Sequence, residues 1–262
     1  MLSDFPASVA VYLCAVMGLL GLVMGSALNC LALRLAKEQK WSGKSRSACP
    51  HCGHVLTPLE LIPLFSWIFQ KGKCRHCKAP ISIRYPITEA LLAVFYICLL
   101  LKFGLSLQLL THLIFVSCLF TLSLVDLDTQ IIPDRFLVIP ILFRAAELVI
   151  TGGFMGLLRG VLPGLIVSVA VLIFSLVMDK VLKKDTMGGG DIKLLFVIGL
   201  FLSFPQMLLM VMIACVVGIL MASLLMKVSP DTPFPFGPAL SLAAVVTLFV
   251  GQSVIQWYLG LF

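Results

Sequence analysis

The chain has 262 residues, of which 60% are hydrophobic and only 12% are charged, and its mean hydropathy is +1.11. About a quarter of the residues of a soluble domain are charged, so this composition excludes a water-soluble globular protein. The formal net charge is +7, and its distribution along the chain is informative. The sequence predicts an all-α polytopic membrane protein.

One loop carries the whole positive excess. Residues 34–86 contain ten Lys or Arg and two acidic residues, a balance of +8, whereas the rest of the chain sums to −1. Cytoplasmic loops of membrane proteins carry such an excess, so we expect this loop in the cytoplasm and the N-terminus outside. The loop is expected to rest against anionic membrane lipids, and no nucleic-acid partner is expected.

About eight transmembrane helices are predicted, because eight apolar segments approach the roughly 20 residues that a crossing needs. Glycine and proline turn signals separate them. The expected organisation is a first transmembrane helix at 1–33, a cytoplasmic loop domain at 34–86 and a transmembrane helical domain at 87–262. The eight segments are 9–33, 87–103, 107–125, 136–151, 156–182, 191–203, 206–226 and 239–262.

The 34–86 loop contains two Cys-x-x-Cys pairs, Cys49 with Cys52 and Cys74 with Cys77, separated by 21 residues. A loop of about 50 residues is too small to be stabilised by an apolar core alone. Two such pairs suit a tetrahedral zinc ion held by four thiolates, which leaves no open position and is therefore structural. Disulfides, redox pairs or free thiols are the alternatives, and a reducing cytoplasm disfavours disulfides.

Two aspartates are predicted to lie at the same depth of the membrane. Asp126 ends the third segment, and Asp191 begins the sixth after three glycines. Two carboxyl groups close together share a proton and can supply a general base and a general acid. Because the helix macrodipole lowers a pKa at the N-terminus and raises it at the C-terminus, Asp191 is expected to be the base and Asp126 the acid.

Structural interpretations of the same residues remain open at this stage. Asp191 could merely cap the sixth segment, and Asp134 is predicted to cap the fourth. Arg144 and Glu147 are three residues apart on a predicted helix and are expected to form an ion pair. Buried acids also serve ion or proton transport, which the residues alone leave as plausible as catalysis.

The sequence resembles the prepilin peptidases, which are bifunctional membrane enzymes, over about residues 25–240. The paired cysteines match that family in order and spacing. The other motifs that carry the resemblance are Gly25-Ser26-x-x-Asn29, Arg84-Tyr85-Pro86-x-x-Glu89, Asp126 seven residues before Pro133, Gly188-x-Gly190-Asp191 and Phe236-Gly237-Pro238-Ala239-Leu240.

The resemblance implies an aspartyl endopeptidase of the bacterial inner membrane, with Asp126 and Asp191 as its catalytic pair. It implies cleavage of the leader of type IV prepilins or pseudopilins on the cytoplasmic face, and methylation of the new N-terminus with S-adenosylmethionine. The sequence contains no recognisable methyl-donor motif, so the residues that bind this cofactor are left unassigned. An ion-coupled transporter or a presenilin-like Gly-x-Gly-Asp protease would leave the cysteine pairs unexplained.

Overall fold

The structure, a computed structural model, describes residues 6–37, 47–183, 187–225 and 235–261. Residues 38–46 of the predicted basic loop lie outside these ranges. Within them the chain is nearly all helical, with two isolated β-bridges and no strand, which confirms the predicted fold class. The elements are α1 (Ala7–Ala36), a 3-10 helix (Pro58–Leu61), α2 (Phe65–Phe69), α3 (Arg84–Phe103), α4 (Leu107–Thr129), α5 (Asp134–Leu182), α6 (Gly189–Gly199), α7 (Phe204–Leu225) and α8 (Gly237–Leu259).

Six helices among the described residues are long and apolar enough to cross a membrane, namely α1, α3, α4, α5, α7 and α8. Helix α5 has 49 residues. At a rise of 1.5 Å per residue it is about 74 Å long, more than twice the thickness of a hydrocarbon core of about 30 Å. It is broken at Gly153, where φ is +60° and ψ is −157°, a conformation that glycine adopts without strain. Its two halves correspond to the predicted segments 136–151 and 156–182.

Helix α6 is shorter than predicted. It has 11 residues and a length of about 16 Å, so the predicted crossing at 191–203 is not a helix of membrane-spanning length. The chain leaves it through two further tight turns before α7 begins at Phe204. Leu194 and Ile198 are completely buried because α6 packs against α5. Burial inside the protein therefore explains the hydrophobicity that had suggested a crossing.

The chain forms two compact units, residues 1–109 and 110–262. In the first unit, α1 packs antiparallel to α3 with glycines at the contact. A Cβ added at Gly21 would lie 2.5 Å from the Cα of Ala93, and one at Gly25 would lie 2.8 Å from the Cα of Glu89. Only glycine permits this approach of two helix backbones. The cysteine loop belongs to the same compact unit as α1 and α3. The predicted domain boundaries at residues 34 and 87 stay predictions.

In the second unit, a buried polar cluster joins α4, α5 and the end of α6. Arg144 and Glu147 form the predicted ion pair, with 2.7 Å between Nη1 and Oε1. The hydroxyl of Thr111 donates to Oε2 of Glu147 at 2.5 Å, and Nε of Arg144 donates to the carbonyl of Leu200 at 3.0 Å. The prediction of this pair is confirmed. The cluster fixes the C-terminal end of α6, whose other end carries Asp191.

Candidate active site and metal centre

Each cysteine pair lies in a tight turn that is closed by an isolated β-bridge. Ala48 pairs with Val55 around the first turn, and Lys73 pairs with Pro80 around the second. In both turns a backbone N–H four residues after the first cysteine donates back to that cysteine's carbonyl, at 2.9 and 3.0 Å. The two turns thus share one construction, which brings the two sulfurs of each pair close to each other.

The four sulfurs Cys49, Cys52, Cys74 and Cys77 all lie within 4.8 Å of one another. Sγ of Cys49 is 3.8 Å from Sγ of Cys77, and none of the four is in a disulfide. Zinc–sulfur bonds of about 2.3 Å in a tetrahedron require sulfurs about 3.8 Å apart, so the cluster fits a zinc ion.

The loop is tied to α3 through Glu89, a residue to which the sequence reasoning gave no role. Its Oε2 accepts a 2.7 Å hydrogen bond from the backbone N–H of Leu64, which has a positive φ of 61°. Trp67 strengthens the loop by donating from its indole nitrogen to the carbonyl of Ile81 at 3.2 Å. The available signal for Glu89 was an acidic residue within an apolar segment, which is expensive unless it has a partner.

Asp126 lies on the last turn of α4 and is only 4% exposed. Its Oδ2 accepts a hydrogen bond of 3.0 Å from the backbone N–H of Gly237, the first residue of α8. A Cβ at position 237 would lie 2.7 Å from that same oxygen, so only glycine leaves room for the carboxylate. Asp126 therefore ends one helix and also faces the N-terminus of another, where backbone N–H groups favour negative charge.

Asp191 is the third residue of α6, and the N-cap of this helix is Gly188, so the capping interpretation of Asp191 is wrong. Burial raises the pKa of Asp191, and the negative charge of Asp126 raises it further, to about 6. The expectation that the macrodipole lowers this pKa is also wrong, because desolvation outweighs the dipole. The charge of Asp126 contributes to this shift, so the two predicted aspartates interact electrostatically.

Other acids near this pair do not join it. Asp134 does not cap α5, since Pro133 is the N-cap and Asp134 is the first helical residue. It forms an exposed ion pair with Lys193, with 2.8 Å between Oδ1 and Nζ. Asp128, two residues after Asp126, is exposed. The candidate active site among the described residues therefore contains the buried carboxyl group of Asp126, the half-buried carboxyl group of Asp191 and the N–H of Gly237.

Comparison with known proteins assigns both parts of the chain. Residues 19–103 match the model of the bacterial peptidase A24 N-terminal domain, and residues 113–223 match that of the type IV leader peptidase family. The prepilin leader peptidase/N-methyltransferase of Bacillus subtilis (strain 168) is 32% identical, covering 94% of this chain and 97% of the relative. Its Pseudomonas aeruginosa counterpart is 33% identical, with 98% and 97% covered. No solved structure matches.

Proposed function

Because the chain belongs to the type IV leader peptidase family, we propose that it is an aspartyl endopeptidase that cleaves the leader peptide of type IV prepilins or pseudopilins. The observation that carries this proposal is the pairing of Asp126, which is buried, with Asp191, which is half-buried and whose pKa is raised by burial and by the charge of Asp126. Two coupled carboxyl groups can supply the general acid and the general base of peptide hydrolysis.

The environments of the two carboxyl groups suggest their roles. We assign the shared proton to Asp191, because burial and the charge of Asp126 raise its pKa to about 6, and Asp191 then serves as the general acid. Asp126, oriented by the N–H of Gly237, serves as the general base. It takes a proton from water, whose oxygen attacks the scissile carbonyl carbon. Asp191 gives its proton to the amine nitrogen as the C–N bond breaks. This assignment reverses the one expected from helix ends alone.

The second proposed activity is N-methylation of the new N-terminus, with S-adenosylmethionine supplying the methyl group. The names of the relatives, which combine leader peptidase and N-methyltransferase, support it. The four cysteines Cys49, Cys52, Cys74 and Cys77 are proposed to hold a structural zinc ion. Four thiolates fill the tetrahedral coordination sphere of such an ion, so no coordination position is left for a substrate.

The protein is a multi-pass membrane protein, and its family places it in the bacterial inner membrane. We place the aspartate pair and the cysteine loop on the cytoplasmic side, which the +8 charge of residues 34–86 supports. A prepilin would present the junction between its leader and its apolar helix at the level of the headgroups. A basic leader is repelled by the basic loop, so the loop is not its docking surface.

The test is cleavage of a purified prepilin by the wild-type chain and by Asp126→Asn and Asp191→Asn. Each substitution should lower kcat by at least about 1,000-fold, because each removes one half of the acid–base pair. Asp128→Asn, an exposed acid two residues from Asp126, is the matched control and should cleave at the wild-type rate. Undiminished cleavage by either single variant would exclude the pair as the catalytic centre.

A transporter is separated from a peptidase by the same variants. Ion-dependent flux in proteoliposomes that disappears in the double aspartate variant, without prepilin cleavage by the wild type, would favour transport. The proposal expects cleavage by the wild type and no such flux.

A further inference from the structure

A cavity of about 550 Å³ lies within the first unit, between the α1–α3 hairpin and the cysteine loop. Its volume is in the range of sites that enclose small molecules. The α1 wall is formed by Ser26, Cys30, Leu33, Arg34 and Lys37, whose spacing of three and four residues places them on one helix face. This face therefore looks onto a cavity, while the glycines of α1 contact α3.

The opposite walls supply a second set of chemical groups. Tyr85 and Glu89 come from α3, whereas Glu60, Trp67 and Cys74 come from the loop. Glu60 and Glu89 are both largely buried. Two hydrogen bonds from Thr57, to the same oxygen of Glu60 and each 2.9 Å long, lower the pKa of Glu60 and favour its ionised form. The cavity thus contains carboxylates, cations and aromatic rings together.

This combination selects a class of ligand. A purely apolar ligand would offer no hydrogen-bond or ionic partner to the buried carboxyl groups, and a simple anion would be repelled by them. A zwitterion that also carries a cationic centre and a flat heteroaromatic ring can use all three kinds of group. Carboxylates and aromatic faces attract the cationic parts, arginine pairs with a carboxylate, and aromatic rings pack against the heterocycle.

We propose that this cavity is the binding site for S-adenosylmethionine, a zwitterionic sulfonium that carries an adenine ring. The proposal rests on the N-methyltransferase activity proposed above and gives that activity a location. In this site Arg34 pairs with the carboxylate of the ligand's amino-acid part. Glu60 and Glu89 pair with the ligand's cationic groups. Trp67 and Tyr85 provide aromatic surface for the adenine.

The metal centre and the cavity are parts of one construction. Cys49 and Cys74, one from each pair, line the cavity as well as belonging to the metal cluster. Glu89 lines it too, and the hydrogen bond from Leu64 to Glu89 holds the loop against α3. A structural zinc ion would therefore maintain one wall of the proposed donor site without contacting the methyl group.

The experiment is equilibrium binding of radiolabelled S-adenosylmethionine to the full-length, zinc-loaded chain in detergent. Cys30→Phe fills the cavity and should weaken binding at least about 10-fold. Cys14→Phe introduces the same side chain on the same helix outside the cavity lining, and it should bind as the wild type does. Zinc content and thermal unfolding establish that both variants are folded. Equal affinities in the two folded variants would overturn the proposal.

A second variant tests the chemistry of recognition. Arg34→Gln keeps a long polar side chain but removes the charge that faces the donor's carboxylate. It should weaken binding of S-adenosylmethionine about 10-fold and binding of adenosine, which has no carboxylate, by less than twofold. An equal loss for both ligands would contradict the assignment of Arg34.

Failure of this proposal is distinguishable from failure of the proposed peptidase. A wild-type chain that cleaves prepilin but does not bind S-adenosylmethionine would overturn the donor site and leave the peptidase intact. A wild-type chain that binds S-adenosylmethionine, and loses that binding in Cys30→Phe, would support the donor site even if it cleaved no prepilin.

Discussion

The backbone N–H of Gly237 and the carboxylate of Asp126 are joined by a buried hydrogen bond of 3.0 Å across 111 positions of sequence. The contact joins the end of α4 to the start of α8. It holds Asp126 in one orientation and directs a backbone dipole at its charge. Since a Cβ at position 237 would lie 2.7 Å from Oδ2, the glycine is required by space as well as by its N–H.

Gly237→Ala should therefore lower the kcat for prepilin cleavage by at least about 10-fold with little change in KM, because it displaces the proposed base and leaves the substrate surface in place. Steady-state kinetics with a purified prepilin measure both constants. Gly152→Ala is the matched control, since nothing lies within 4 Å of a Cβ at that helical position. A parallel loss in both alanine variants would argue against a specific role for Gly237.

The raised pKa of Asp191 predicts a pH-dependent stability. Between its ordinary value of 3.8 and about 6, the folded chain keeps a proton that the unfolded chain has lost. The free energy of unfolding therefore falls as the pH rises through this window, and the cost of the buried charge is complete above it. Asp191→Asn carries no charge and should melt at a higher temperature than the wild type at pH 7.5.

Thermal unfolding in detergent across pH 4 to 8 measures this difference, which should shrink towards pH 4 where the wild-type carboxyl group is also neutral. A melting temperature of Asp191→Asn below that of the wild type at pH 7.5 would show that the ionised side chain stabilises the fold instead.

The cysteine cluster predicts one zinc ion per chain in protein purified under reducing conditions. Cys49→Ser and Cys77→Ser should each lose most of the metal, because a structural site needs all four ligands. Cys98→Ser, on α3 and outside the cluster, should retain it. Inductively coupled plasma mass spectrometry gives the metal content, and equal zinc in the Cys49 and Cys98 variants would exclude the tetrathiolate.

The ion pair of Arg144 and Glu147 predicts strong non-additivity. Glu147→Gln leaves the Arg144 charge without its partner carboxylate and should lower the free energy of unfolding by about 3–5 kcal/mol. Arg144→Met together with Glu147→Gln removes both charges and should recover most of that loss. A double-mutant cycle by denaturant unfolding in detergent measures the coupling, and additive effects of the two sites would contradict the prediction.

The local chemistry of the site could be predicted from sequence, whereas its electrostatics could not. The spacing of Cys49, Cys52, Cys74 and Cys77 indicated a metal cluster, because short turns and thiolate geometry are local properties. Asp126 and Asp191 were selected because isolated acids in apolar segments are costly. The N–H of Gly237 was missed as a partner, since no local pattern brings residues 111 positions apart together.

Hydropathy also limited how far the fold could be predicted from the sequence. It identified the apolar segments but could not separate residues that face lipid from residues that face protein. Leu194 and Ile198 of α6 are buried by neighbouring helices, so a helix of 11 residues had the composition of a crossing. The same burial reversed the expected pKa of Asp191, because desolvation depends on packing that the helix position alone does not contain.

The hydrogen bond from Leu64 to Glu89 imposes an order on biosynthesis. The acceptor lies 25 residues downstream of the donor, in the helix that follows the loop. When the ribosome has made only α1 and the two cysteine pairs, the loop contains its four cysteines but has no anchor. It reaches its final position only after α3 has been synthesised and has paired with α1 through Gly21 and Gly25. The loop therefore docks only after α3 has been made, and a chain truncated before residue 89 would leave the loop undocked.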